Sequence, residues 1–234
     1  MIFSFMKKSK KTIAVLKLFT AVGYLDASNF ELLEVLDFCV ANVNSDIDYI
    51  SWNYGAKTWA RYKSFVKFAR TNKDTVSLCI YYGEQAIISY SNVLLNIVKK
   101  IAQHKNGTVE LTVYFDNLAD SDYYLDFFSG IAEKQKFDYG YVCIVDEKDR
   151  RKCDVIVNVE QIDIHTNCLF DVKNGYVRDL YPFNLLNVRQ LDSLKLATGS
   201  TGKLCNITEN LKLWILSNDE INMVKEIICF PHKV

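Results

Sequence analysis

A chain of 234 residues, half of them apolar, has the material for a large packed core, and its length admits one domain or two fused lobes. Its 28 Lys and Arg balance 28 Asp and Glu, which excludes an overall field drawing it to nucleic acid or an anionic membrane and makes any charge argument local. Two prolines and no Gly/Ser-rich or like-charge block leave no linker, so one domain over 1–234 is expected, with sub-lobes at most at about 1–160 and 161–234.

Segments of period two alternate with segments of helical spacing, which points to an α/β or α+β layer with a mixed β-sheet and packed helices. The charged run Met6 to Lys11, followed by TIAVLKLFTAVGYL, imitates a secretory signal. Lys17 interrupts that apolar run and no small-x-small cleavage site follows it, so Thr12–Phe19 reads as a first strand. No other stretch approaches the ~20 uninterrupted apolar residues of a membrane span. Ser28 can cap a helix over Asn29–Val43 with Phe30, Leu33, Leu36 and Val40 on one stripe. Ile47–Tyr54 then reads as a strand. Lys57–Asn72 reads as a helix, because Trp59, Tyr62, Val66 and Ala69 share one face and Lys63, Lys67 and Arg70 another.

Val76–Gly83 reads as a strand and Tyr90–His104 as a helix stopped at Asn106-Gly107. Thr108–Asp116 alternates as a half-buried strand. Ser121–Lys134 carries acidic residues in its first turn and lysine at its end, as the helix dipole favours. Tyr139–Asp146 returns as a strand, the run from Asp146 to Asp154 as a solvated turn, and Cys153–Val159 as its hairpin partner. The final third is less regular, with a strand at Asn210–Ser217 and a helix over Asp219–Ile228 capped by Ser217 or Asn218.

No motif carries chemistry on its own. GSTGK at Gly199–Lys203 lacks the spacing of a phosphate loop and the Ser or Thr that follows its lysine. His165 and Cys168, with Cys153, offer three zinc ligands where a structural site needs four. The remaining histidines, His104 and His232, complete no triad. Asp120-Ser-Asp122 imitates a metal-binding DxD but precedes a helix, where such residues cap. Asp146-Glu147-Lys148 resembles a nuclease site with the wrong spacing. No cofactor or metal is therefore expected. Seven scattered cysteines without a CxxC pair fit reduced thiols and a cytoplasmic setting.

Two surfaces say more. On the Ser121–Lys134 helix the apolar stripe of Tyr124, Phe127, Phe128 and Ile131 leaves Asp122, Asp126 and Glu133 on a shared outer face. With Asp116, Asp120 and Tyr123 nearby, this makes an acidic, aromatic surface suited to a basic protein partner. Lys57, Arg61, Lys63, Lys67 and Arg70, interleaved with Trp59, Tyr62 and Phe65, make the opposite surface, which suits phosphates or stacked bases.

The run GYVRDLYPFNLLN (Gly175–Asn187), with Arg178, Asp179, Tyr181, Pro182, Asn184 and Leu185, then Leu213-Trp214 and the terminal helix, resembles the C-terminal pattern of immunity proteins of bacterial polymorphic-toxin and contact-dependent competition systems. It covers about a quarter of the chain. The resemblance implies a non-enzymatic cytosolic protein that neutralises one cognate toxin by stoichiometric binding. The residues themselves also read as a structural corner, since Pro182 biases the preceding segment to be extended. The expectation is thus a binding protein whose partner is a toxin with a basic surface, with no membrane partner. Two rivals stay open: an enzyme using Asp116 and Asp146 at strand ends, and a nucleic-acid module using the Lys57–Arg70 helix. Oligomeric state is not fixed by the sequence.

Overall fold

The computed structural model describes residues 11–23, 32–43, 46–72, 75, 77–92, 106–116, 118–147, 175, 177, 179–194 and 199–227. In chain order its elements are β1 (Thr12–Gly23), α1 (Leu32–Asn42), β2 (Tyr49–Trp52), β3 (Lys57–Trp59), α2 (Tyr62–Ala69), β4 (Ser77–Tyr82), β5 (Gln85–Asn92) and β6 (Asn106–Phe115). There follow α3 (Ser121–Lys134), β7 (Tyr139–Asp146), β8 (Phe183–Asn187), α4 (Val188–Ser193), β9 (Lys203–Asn206), β10 (Leu211–Ile215) and α5 (Asn218–Ile227).

The strands form one ten-stranded sheet in the order β3-β2-β4-β5-β6-β1-β7-β8-β10-β9, and every neighbouring pair is antiparallel. The class is α+β, dominated by its sheet, and the expected mixed sheet is corrected. The reason is topological. Since β1 is antiparallel to both β6 and β7, those two run parallel to each other, joined by α3, with β1 inserted between them. Likewise β3 and β4 run parallel around β2 and are joined by α2. The strand–helix alternation is therefore real crossover connectivity, but an inserted strand makes each ladder antiparallel.

Two segments fold otherwise than expected. Lys57–Asn72 is not one helix: Lys57–Trp59 pairs with Trp52–Ile50 as β3 and only Tyr62–Ala69 is helical. Asn53 and Tyr54 take positive φ of 46° and 59° in the connecting turn. Ser77 holds them there, its C=O accepting from Asn53 N–H and its Oγ from Tyr54 N–H. Tertiary pairing overrides helical spacing here. Similarly Tyr90, expected to open a helix, lies in β5 between Leu78 and Leu111, after a turn at Gly83. Asn106 and Gly107 are the first residues of β6, opposite Gly23 and Val22. The rest of the expected helix, the turn after Asp146, the Cys153–Val159 hairpin and His104, His165, Cys168 and His232 lie outside the described residues.

On one face, Ala14, Leu16 and Leu18 of β1 join Val109, Leu111, Val113 and Phe115 of β6 in a core closed by Val35, Leu36 and Cys39 of α1, Phe65 and Ala69 of α2, and Tyr124, Phe127, Phe128 and Ile131 of α3. Burial pushes the Cys39 thiol pKa up. The stripe of α1 is thus rotated from the expected one: Leu33 and Val40 are only partly buried. On the opposite face, Phe19, Tyr139, Leu186 and Trp214 pack with Leu194, Ile221 and Val224. Lys17, on this face, is 12% exposed and pairs with Glu110, 4% exposed, at 2.9 Å.

The C-terminal corner is a chain of buried polar contacts. Asn184, fully buried, accepts from Tyr181 N–H at 2.9 Å and donates through Nδ2 to the C=O groups of Tyr181 and Trp214. Trp214 Nε1 donates to Thr201 C=O at 2.8 Å. Gly202 N–H donates to Glu220 Oε1 at 3.0 Å, and Glu220 Oε2 accepts from Ser217 N–H at 2.7 Å while Ser217 Oγ accepts from Glu220 N–H at 3.3 Å. Ser217 and Glu220 are thus a capping box at the start of α5. These hydrogen bonds hold the Glu220 carboxyl below its usual pKa. Lys225 on α5 pairs with Asp179 at 2.6 Å.

Candidate partner-binding face

Helix α3 starts because Asp120, in extended backbone, accepts Tyr123 N–H at 2.9 Å, relieving one of the orphan donors of the first turn. Its four aromatic and aliphatic core residues recur at helical spacing, so the other side must face water. That side carries Asp122, Asp126 and Glu133, all exposed, and Asp120 is exposed beside them. Asp116 is half-buried just past the end of β6. The structure therefore brings Asp120, Asp122 and Asp126 together along the start of one helix, with Glu133 near its far end.

Tyr123 turns inward. Its hydroxyl donates to the C=O of Asn42 at 2.9 Å, and its ring meets Phe115, Tyr124 and Phe127 edge-on or tilted. Burial raises the pKa of its phenol, helped by Cys39. Tyr123 thus ties α3 to α1. The same junction is closed by Phe38 against Phe127 at 5.1 Å between centroids; at Gly130 a Cβ would stand 2.6 Å from the Phe38 ring, so no other residue fits this crossing unaltered.

Because α1 lies against α3, its exposed Glu34 and Asp37 extend the acidic surface. Sequence reading missed this contribution. Its signal, two carboxylates three apart on the outside of an amphipathic helix, was present, but the adjacency of α1 and α3 was not. Beyond α1 the sign reverses. Tyr62 donates to Asp37 Oδ1 at 2.8 Å, and burial, followed by that hydrogen bond, raises the Tyr62 pKa strongly. Past that link Lys63 and Lys67 of α2 and its flanking Arg61 and Arg70 are exposed. Lys57 lies over the rings of Trp59 and Phe68 at 5.3 and 4.3 Å. Trp59, Tyr62 and Phe65, expected among the basic residues, pack on one another within the core layer.

The other sequence candidates settle as follows. Asp116 and Asp146 both stand at the end of the sheet where β1 begins, one on each side of it. Gly199–Lys203 leads into β9, and its Gly202 amide is taken by the Glu220 carboxylate, the charge a phosphate would carry. Among the described residues no group of three or more His, Cys, Asp or Glu side chains could hold a metal, and no helix is long and apolar enough to cross a membrane. The cysteines among the described residues, Cys39, Cys79, Cys143 and Cys205, form no disulfide.

No protein-family model matches the sequence, and a search of curated proteins gives no match. Among solved structures, the Pseudomonas aeruginosa T6SS protein PA0821 is similar in fold, at TM-score 0.56 and 11% identity. The match covers 94% of this chain and 73% of that one. At that identity the likeness is one of fold.

Proposed function

We propose that the protein is a non-catalytic binding protein that neutralises a cognate bacterial toxin in the cytoplasm by stoichiometric binding, as an immunity protein does. The observation that carries this reading is the set of exposed carboxylates on the neighbouring helices α1 and α3, namely Glu34, Asp37, Asp120, Asp122, Asp126 and Glu133. Such a surface steers a basic partner and is costly for an acidic one. A fold neighbour described as a T6SS protein accords with a role in bacterial competition. The resemblance of Asp179, Tyr181, Asn184 and Leu213-Trp214 to the immunity pattern falls on the C-terminal corner, so it supports the reading through fold and contributes no contact residue.

The test is co-expression with whichever toxin-like domain a neighbouring gene encodes, followed by size-exclusion chromatography with mass determination and a growth assay. A fixed-ratio complex that relieves toxicity is expected, and Asp122→Lys with Asp126→Lys should slow association about tenfold while leaving dissociation nearly unchanged. If the toxin stays active and elutes alone, the reading fails. The exposed row Arg61, Lys63, Lys67 and Arg70 favours a second reading, nucleic-acid binding. It predicts affinity that falls steeply with salt and is lost when Lys63, Lys67 and Arg70 are replaced together.

A further inference from the structure

Single exposed aliphatic side chains are ordinary on protein surfaces; two at the same end of a sheet, near the exposed carboxylates that open α3, call for an explanation. Leu118 is 50% exposed and Ile144 46%. Ile144 lies on the helix-covered face of the sheet, because it pairs across to Ala14, and Ala14 pairs on its other side to Phe115. Ala14 and Phe115 in that row are buried, as is Val142 two residues back along β7. Strand β8 pairs with β7 only as far as Val142. Above that rung Tyr124 of α3 packs on Phe183 and Phe115 at 4.7 and 5.8 Å between centroids. The first turn of α3 therefore covers the Val142 rung, and Ile144 emerges just past it.

Leu118 belongs to the connection from β6 to α3, three residues beyond Phe115 at the same end of the sheet. Its neighbour Ala119 is drawn inward, donating its N–H to the Tyr124 hydroxyl at 3.4 Å, and leaves Leu118 outside. Asp120, Asp122 and Asp126, all exposed, follow immediately on the cap and first turns of α3. Exposed aliphatic side chains near exposed carboxylates are the complement of lysine and arginine, whose aliphatic stems lie on apolar surface while their charged ends meet carboxylates.

Resting on the binding role proposed above, we infer that Leu118 and Ile144 are the apolar anchor point of the acidic face, and that its occupant is a lysine- or arginine-rich segment of a partner protein carrying an apolar side chain at its centre. The carboxylates bring the segment in and orient it; Leu118 and Ile144 hold it. Affinity then depends on the aliphatic pair and association rate on the carboxylates.

Methyl NMR spectra of the full chain, titrated with a short lysine-rich peptide carrying central Trp and Leu and with an analogue carrying Ser in their place, test this directly. The Trp/Leu peptide should shift the Leu118 and Ile144 methyl resonances, bind at least tenfold more tightly than the analogue, and weaken with salt. Leu118→Ser with Ile144→Thr should lower its affinity about tenfold, whereas Val188→Ser, at a similarly exposed site on α4, should not; thermal unfolding checks that each variant is folded. Equal binding of the two peptides, or unmoved Leu118 and Ile144 methyls, overturns the inference. A toxin complex that forms normally but is indifferent to the Leu118 and Ile144 substitutions also overturns it and leaves the immunity reading standing. Docking of the Trp/Leu peptide without any toxin complex upholds the anchor and removes the immunity reading.

Discussion

Lys17 and Glu110 pair diagonally across β1 and β6 at 2.9 Å with little solvent access, and Thr112 Oγ1 donates to the same carboxylate at 3.4 Å. Replacing Lys17 by Met keeps the length of the stem but strands the Glu110 charge in a site that is 4% exposed. Removing one partner of a buried pair costs about 3–5 kcal/mol, because the survivor keeps its desolvation and loses its counter-charge. Against a typical stability of about 5–15 kcal/mol this is a large loss, and at this chain length it lowers the melting temperature by roughly 6–20 °C. The double variant, Lys17→Met with Glu110→Leu, removes both charges and should recover most of that loss, since an apolar pair of similar volume is near neutral in such a site. Urea unfolding of wild type, both single variants and the double variant closes the cycle, with an expected coupling of about 2 kcal/mol or more. A Lys17→Met loss below about 1 kcal/mol would refute the reasoning, because it would mean that the pair behaves as an exposed one.

Four further outcomes follow, three of them from the C-terminal corner. Asn184→Ala removes two short hydrogen bonds and a longer third from a fully buried site, and should cost about 2–3 kcal/mol in urea unfolding. Gly202→Ala should cost about 2 kcal/mol or more, because φ is +72° and the new Cβ would stand 2.5 Å from Ile215 C=O. Gly83→Ala, at φ +57° with nothing within 4 Å, isolates the backbone share and should cost only about 1–2 kcal/mol. Glu220 has a lowered native pKa, so its contribution is present above the ordinary glutamate range and lost as pH falls through the lowered native value. The melting-temperature advantage of wild type over Glu220→Gln should therefore be constant near neutrality and vanish in acid.

Elements whose own residues set their boundaries were legible. Helix α3 was read at Ser121–Lys134 and β7 at Tyr139–Asp146, the bounds the structure shows, because cap, dipole charges and period all agree locally. The failures share one cause. Lys57–Trp59 and Tyr90–Asn92 have helical spacing but are held by ladder partners far away in sequence, and neither the left-handed backbone at Asn53 and Tyr54 nor the pairing of Tyr90 with Leu78 is visible in a local window. Lys17 was legible as a break in an apolar run but not as half of a buried pair, since its partner lies 93 residues on. At the proposed site the α3 carboxylates were found, while Glu34, Asp37, Leu118 and Ile144 were not. Their relevance depends on which helices lie side by side and where β8 stops.

Helices α1, α2 and α3 all pack on one face of the sheet, so charges from three distant stretches of chain meet on a single outer surface. Tyr62 and Tyr123, through Asp37 and Asn42, fasten α1 to both neighbours. The surface therefore presents a fixed dipole, acidic over α1 and α3 and basic over α2, in a chain with no net charge. A basic partner docking at α3 feels attraction from one side and repulsion from the other. Asp122→Lys with Asp126→Lys should then slow association, and Lys63→Glu with Lys67→Glu should hasten it, each by about threefold to tenfold at low ionic strength, with both effects shrinking as salt screens beyond about 10 Å. Stopped-flow association with the cognate domain measures both. Opposite responses of similar size would follow from net charge alone, so the discriminating result is their salt dependence. If the partner docks on α3 as proposed, the α3 effect should survive at 150 mM salt, as direct contacts do, while the α2 effect, acting at a distance, should disappear. Equal decay of the two would place the contact on neither helix.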